Sequence, residues 1–89
     1  MELRHLRYFV AVVEEQSFTK AAEKLYIAQP PLSRQIQNLE GELGIALFER
    51  GSRPLKTTEA GQFFYQHAVK LLSNAEEVKS MSNLMKNLF

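Results

Sequence analysis

Apolar residues recur along this chain at helical spacing and are interrupted at a few points by residues that end helices. Over residues 3–14, Leu3, Leu6, Phe9, Val10 and Val13 share one face while Arg4, Arg7 and Glu14 lie elsewhere, which predicts an amphipathic helix. Gln16-Ser17 breaks the pattern, and Ser17 is of the N-cap type for a short second helix over residues 17–25, S-F-T-K-A-A-E-K-L. Ala21, Ala22 and Leu25 supply its inner side, and the adjacent alanines let two helices cross closely. Tyr26-Ile27-Ala28 is a short connection. Leu32, Ile36, Leu39 and Leu43 then follow at i, i+4, i+7 and i+11, predicting a third helix that stops near Gly44. Two helices joined by so short a turn must cross steeply, as in a helix-turn-helix.

In I-A-L-F-E-R-G-S-R-P-L-K-T-T, residues 45–58, Gly51-Ser52-Arg53-Pro54 is turn chemistry between two short segments that pair as strands. Pro54 has no amide to donate to a ladder, so the hairpin lies at an edge and must lean on the helices. Residues 59–89 read as one long helix, with Thr58 as N-cap and Glu59 well placed in the first turn. Phe64, Leu71, Val78 and Met85 form one heptad track and Ala68, Ala75, Ser82 and Phe89 a second, together a coiled-coil seam. Tyr65, Val69 and Leu72 widen the apolar surface of the first half, which is therefore expected to rest on the first helix as well. The expected fold is mainly α: a winged helix-turn-helix of three helices plus a short β-hairpin over residues 1–58, followed by a linker helix for dimerisation over residues 59–89.

Composition narrows the function. A chain of 89 residues buries only about 60–65% of its unfolded surface, which leaves little room for a deep catalytic pocket. The net charge of +1 is silent on nucleic acid. Its distribution says more: no acid stands between Glu23 and Glu40, a stretch containing Lys24 and Arg34, and Arg50, Arg53 and Lys56 form a second acid-free cluster. Without cysteine there is no disulfide or thiolate metal site, which fits a cytoplasmic location. Neither a secretory leader nor a membrane span is expected from the charge-interrupted N-terminus and the absence of a long apolar run. His5 and His67 are far apart with no companion at ligand spacing, and Ser17 and Ser33 lack a paired base, so no metal, cofactor or catalytic residue is expected.

The third helix carries the chemistry. With Leu32, Ile36 and Leu39 turned inward, Pro30, Ser33, Arg34 and Gln37 face outward. Prolines are tolerable there because first-turn amides have no intrahelical acceptor to lose, and they leave a blunt tip that can approach another surface. Arg34 suits guanine O6 and N7, Gln29 suits adenine N6 and N7, Ser33 suits a base or a phosphate, and Pro30 and Pro31 suit a thymine methyl. The plain alternative is a solvated polar face on a helical protein-interaction module. The short steep turn and the acid-free surface favour double-stranded DNA instead.

The blocks S-F-T-K-A-A-E-K-L-Y-I-A-Q-P-P-L-S-R-Q-I-Q-N-L-E, L-G-I-A-L-F-E-R and T-T-E-A-G resemble the N-terminal DNA-binding domain of LysR-type transcriptional regulators, from about residue 3 to residue 72 without a gap. I-A-Q-P-P-L-S-R-Q-I and M-E-L-R-H-L-R-Y-F-V are most similar to the subgroup controlling aromatic-compound degradation, such as benzoate- and muconate-responsive activators. The resemblance implies that residues 29–40 are a recognition helix, with Gln29, Pro30, Pro31, Ser33 and Arg34 at base-reading positions and Arg53 at a wing tip that enters the minor groove. Thr19, Gln37, Arg50, Lys56 and Thr57 fall where phosphate contacts are expected. The long helix matches the one that pairs antiparallel in the dimer, through Phe64, Ala68, Leu71, Ala75, Val78 and Met85. The implied partners are double-stranded DNA, a second copy of the chain (a tetramer in the full-length protein) and, as a further candidate, RNA polymerase.

Three departures stand out. Ala28 occupies a place where Ser or Thr is usual and cannot cap the helix through a side-chain oxygen, so Gln29 or a DNA phosphate is expected to take that role. Gly41 replaces a better helix former, at a cost of roughly 0.5–1 kcal/mol against Ala. The family's C-terminal effector-binding domain is absent, and the chain is expected to be an excised domain.

Overall fold

A computed structural model describes residues 1–89. The element order is α1 (Leu3–Glu15), α2 (Phe18–Leu25), α3 (Gln29–Leu43), β1 (Phe48–Glu49), β2 (Lys56–Thr57) and α4 (Glu59–Leu88). The helix starts follow their caps. Ser17 Oγ accepts the Lys20 amide at 3.2 Å, and Thr58 Oγ1 accepts the Gly61 amide at 2.9 Å. The stops follow left-handed residues. Gly44 (φ 74°) closes α3 at little cost, whereas Gln16 (φ 53°) and Tyr26 (φ 58°) adopt the same conformation without being glycine. The turn after α2 is held by the Ile27 amide donating back to the Ala22 carbonyl at 3.1 Å, with Ile27 packed against the core. Together they hold the turn between α2 and α3.

α1, α2 and α3 enclose one core. Leu6, Phe9 and Val12 of α1 meet Ala21 and Ala22 of α2 and Leu32, Ile36 and Leu39 of α3, all buried. The alanines permit the close approach their size suggested. Leu47 and Phe48 close the bottom from the start of the wing. Four phenylalanines form a connected run: Phe64 lies edge-on to Phe9 (centroids 5.1 Å), Phe9 contacts Phe48 (5.5 Å) and Phe48 contacts Phe18 (5.8 Å), so α4, α1, β1 and α2 share one aromatic contact path.

β1 and β2 pair antiparallel, Phe48 with Thr57 and Glu49 with Lys56. As expected for an edge hairpin, the wing is tied down from outside the ladder. The Leu55 amide donates to the Gln16 carbonyl at 3.0 Å, and the Thr58 amide donates to the Leu47 carbonyl at 3.0 Å. The start of α4 then presses so closely on Leu47, just before β1, that Gly61 has no room for a side chain: a Cβ there would collide with the Leu47 carbonyl oxygen.

The core does not stop at residue 58. Ala68 is 3% exposed within the same apolar cluster, and Phe64, Tyr65 and Leu72 pack against it. This corrects the seam. Ala68 was expected to face a partner helix but is buried in the protomer's own core, and the half-buried Phe64 packs on that core as well, because the first turns of α4 pack on α1. Leu71, Val78 and Met85 remain exposed and Ala75 half-buried.

Candidate nucleic-acid interface

α3 presents the side chains expected to read bases. Leu32, Ile36 and Leu39 are buried, which turns Pro30, Pro31, Arg34, Gln37 and Asn38 to solvent and leaves Gln29 and Ser33 half-buried at the edge of the same face. The first turn resolves the question raised by Ala28. Ala28 is the N-cap residue and makes no side-chain cap bond, with Gln29, Pro30 and Pro31 as the first three helical positions. A cap side chain serves the amides of the second and third positions. Both are prolines here and have no amide to serve. Ala28 therefore leaves no cap bond unmade, and neither Gln29 nor a phosphate is needed in its place.

The wing brings further candidates to the same region as the start of α2. Thr19 and Lys20, from the first turn of α2, line one concavity with Ser52, Arg53 and Pro54 of the wing turn. Lys20 was not among the expected residues; its signal in the sequence was its place beside Thr19 just inside a capped helix start. Lys56 is exposed on β2, and the half-buried Thr57 donates its hydroxyl to Gln62 Oε1 at 3.3 Å.

Ion pairing separates the cations. Lys20, Arg34, Arg53 and Lys56 have no carboxylate within 4.0 Å, while Lys24 pairs with Glu15 at 3.3 Å. Arg50 is likewise engaged. Its guanidinium donates to Glu40 Oε1 at 2.5 Å and lies over the Phe18 ring, 5.1 Å from the centroid. Arg7 on α1 and Lys70, Lys79 and Lys86 on α4 are unpaired as well, but Lys20, Arg34, Arg53 and Lys56 are the unpaired cations of α2, α3 and the wing, with charge available to an anion.

Away from this face, Tyr65 donates its hydroxyl to Glu14 Oε2 at 2.9 Å, joining α4 to α1. That bond, with partial burial and the Glu14 charge, pushes the Tyr65 pKa above the usual tyrosine value. His5 is a capping residue, its Nδ1 accepting the Glu2 amide at 3.4 Å, and the His67 ring contacts the Phe63 ring at a tilt, with centroids 4.6 Å apart. Tyr26 is 95% exposed at the turn between α2 and α3, and nothing in the structure accounts for an aromatic ring there. No helix is long and apolar enough to cross a membrane.

Residues 3–62 match the family described as bacterial regulatory helix-turn-helix protein, lysR family. The chain belongs to the LysR family. It is 79% identical over 82 residues to the HTH-type transcriptional regulator BenM of Acinetobacter baylyi, an alignment covering 92% of this chain and 27% of BenM. It thus spans about a quarter of the length of BenM and of the HTH-type transcriptional regulator CatR of Pseudomonas putida. The crystal structure of the BenM DNA-binding domain with benA site 1 DNA superposes with a TM-score of 0.94 at 76% identity, covering 96% of both chains. The complex of that domain with catB site 1 DNA gives 0.96 at 75% identity, covering 98% of this chain and 94% of the other. The fold is therefore the winged helix-turn-helix of a LysR-type DNA-binding domain, with the long C-terminal helix attached.

Proposed function

We propose that this domain binds double-stranded DNA sequence-specifically, as a dimer, at an interrupted inverted repeat, and so regulates a bacterial operon for aromatic-compound catabolism from the cytoplasm. The observation that carries the reading is the exposed face of α3: donors at Gln29, Ser33 and Arg34 beside an apolar Pro30-Pro31 tip, flanked by unpaired cations on α2 and the wing. Its high identity to BenM, whose DNA-binding domain is known in complex with DNA, supports it. So does the subgroup resemblance of I-A-Q-P-P-L-S-R-Q-I.

In this reading Arg34 and Gln29 pair with base edges, each good bidentate pair giving about 1–3 kcal/mol of discrimination. Ser33 bonds a base or phosphate, Pro30 and Pro31 meet thymine methyls, and Arg53 enters the adjacent minor groove. Thr19, Lys20, Gln37, Lys56 and Thr57 take phosphates, which supplies much of the affinity and makes it fall with salt. Two copies joined through the exposed part of α4, by Leu71, Ala75, Val78 and Met85, place two recognition helices in half-sites one helical turn apart or a multiple of it.

The test is selection from a random duplex library at moderate salt. The reading expects enrichment of two inverted half-sites at fixed spacing. Recovery of unenriched sequence would sink it.

A further inference from the structure

Arg50 lies three residues from the wing tip and was expected to hold a phosphate, yet its guanidinium is engaged within the protomer, with 42% of the side chain still exposed. The partner carboxylate belongs to Glu40, on α3, and only 14% of that side chain is exposed. Glu40 does more than pair with Arg50. Its Oε2 accepts the Leu47 amide at 2.6 Å and the Phe48 amide at 3.3 Å, so one carboxylate gathers the backbone entering β1 and the side chain leaving it. The Arg50 guanidinium is held on its other side by aromatic rings, 5.1 Å from Phe18 at the start of α2 and 6.0 Å from Phe48 in β1.

Apart from the burial of Leu47 and Phe48 in the shared core, little else joins the wing to α3. The other hydrogen bonds that leave the wing run to the α1–α2 corner, through Leu55 and Gln16, and to the start of α4, through Thr57 and Gln62 and from Thr58 to Leu47 and Ala46. The hairpin itself has only two residue pairs, too few to hold a direction unaided. A planar guanidinium seated between a carboxylate and two aromatic faces is well suited to fixing a direction, because it is constrained along three sides at once.

We propose that Glu40 and Arg50 are positioning residues that set the wing's direction relative to the recognition helix, and thereby the minor-groove step that Arg53 reaches. The second half of this statement rests on the DNA-binding function proposed above; the first half does not. Arg50 acts through the wing and makes no phosphate contact.

The chain has no cysteine, so a single introduced pair can be spin-labelled cleanly. Labels at Asn38→Cys on α3 and Arg53→Cys on the wing report their separation without DNA. Glu40→Gln turns amide hydrogens toward Arg50 while keeping an oxygen for the β1 amides, and Arg50→Met keeps the stem over the rings while removing the fork. Each is expected to broaden the distance distribution, and the double variant to broaden it no further, since both break one contact. An unchanged distribution in folded variants, judged by circular dichroism, would overturn the strut.

Duplex binding by Arg50→Met, with Asn38 and Arg53 intact, separates positioning from phosphate contact. The slope of log K against log salt is expected to stay at the wild-type value, while the preference for the step under the wing falls toward that of Arg53→Ala. A slope reduced by about 0.9 with that preference intact would make Arg50 a phosphate contact and overturn the proposal. Failure of the wild type to bind any duplex would remove the functional reading, and the distance measurement alone would then decide the strut.

Discussion

α3 and α4 are both amphipathic, but what each leaves uncovered is opposite in kind. α3 buries Leu32, Ile36 and Leu39 and turns out polar side chains and two prolines, so its free face offers donors and a blunt tip. α4 divides along its length. Phe64, Ala68 and Leu72 finish the core, whereas every residue beyond Ala75 is exposed, Val78 at 61% and Leu84 at 68% included. The free face of α3 suits a polar ligand. The distal half of α4 displays Val78, Met81, Leu84, Met85 and Leu88, an apolar stripe of the sort that marks an interaction surface. One helix leaves a polar face free and the other an apolar one.

The sharpest way to break this contrast is in the exposed half of the seam. Leu71 is not packed on the core, so Leu71→Lys should leave the protomer folded and weaken self-association. Binding to an inverted repeat should fall roughly a hundredfold or more as the two half-sites are no longer engaged together. Sedimentation showing the same dimer would remove Leu71 from the interface.

The proximal half should respond differently, through folding. Gly61→Ala drives a methyl into the Leu47 carbonyl and should cost about 1–3 kcal/mol or more, read as a lower thermal midpoint. Ser80→Ala, on the exposed distal half, should change stability by less than about 0.5 kcal/mol. Equal effects at the two positions would mean that the halves of α4 are not distinct.

A smaller effect tests the α1–α4 bond by pH. Tyr65 has a raised pKa in the folded state, so the native protein holds that proton more tightly than the unfolded chain. Its contribution is fully present below the unfolded tyrosine value of about 10 and is lost as pH rises through the raised folded value. The stability difference between wild type and Tyr65→Phe should therefore shrink above about pH 10.

The smallest effect is expected at the tip of α3. A serine at an N-cap ordinarily gains about 1 kcal/mol over alanine. Ala28→Ser should gain almost nothing, because the amides it would serve are those of Pro30 and Pro31. A full gain in the thermal midpoint would show that the helix starts elsewhere.

These contrasts also show which features were legible in the sequence. Periodicity and cap chemistry are local, so the three short helices, the stops at Gly44 and Tyr26, and the caps at Ser17 and Thr58 could be read directly. The solvent-facing residues followed from the wheel of α3 once its apolar stripe was placed. Tertiary choices were less visible. Heptad spacing cannot say whether Phe64 and Ala68 meet a partner or their own α1, since either burial satisfies the same pattern. A basic cluster likewise does not reveal that Arg50 is met by Glu40, ten positions earlier and on another element. Gly61 stood only as the end of the T-T-E-A-G block, and its reason was hidden, because its constraint comes from the Leu47 backbone rather than from its own torsions. Even the doubt at Ala28 needed only a local count: once the cap residue is fixed, the two positions it would serve are both proline.

The central claim is that α3 reads bases, and substitution of Arg34 tests it most directly. Affinity of wild type and Arg34→Ala should be measured on a selected inverted repeat and on every single-base variant of one half-site, at one salt concentration. The account predicts that discrimination collapses at one position per half-site, by about 1–3 kcal/mol, and survives at the others. An equal loss of affinity on every sequence would contradict it and reduce Arg34 to a phosphate contact.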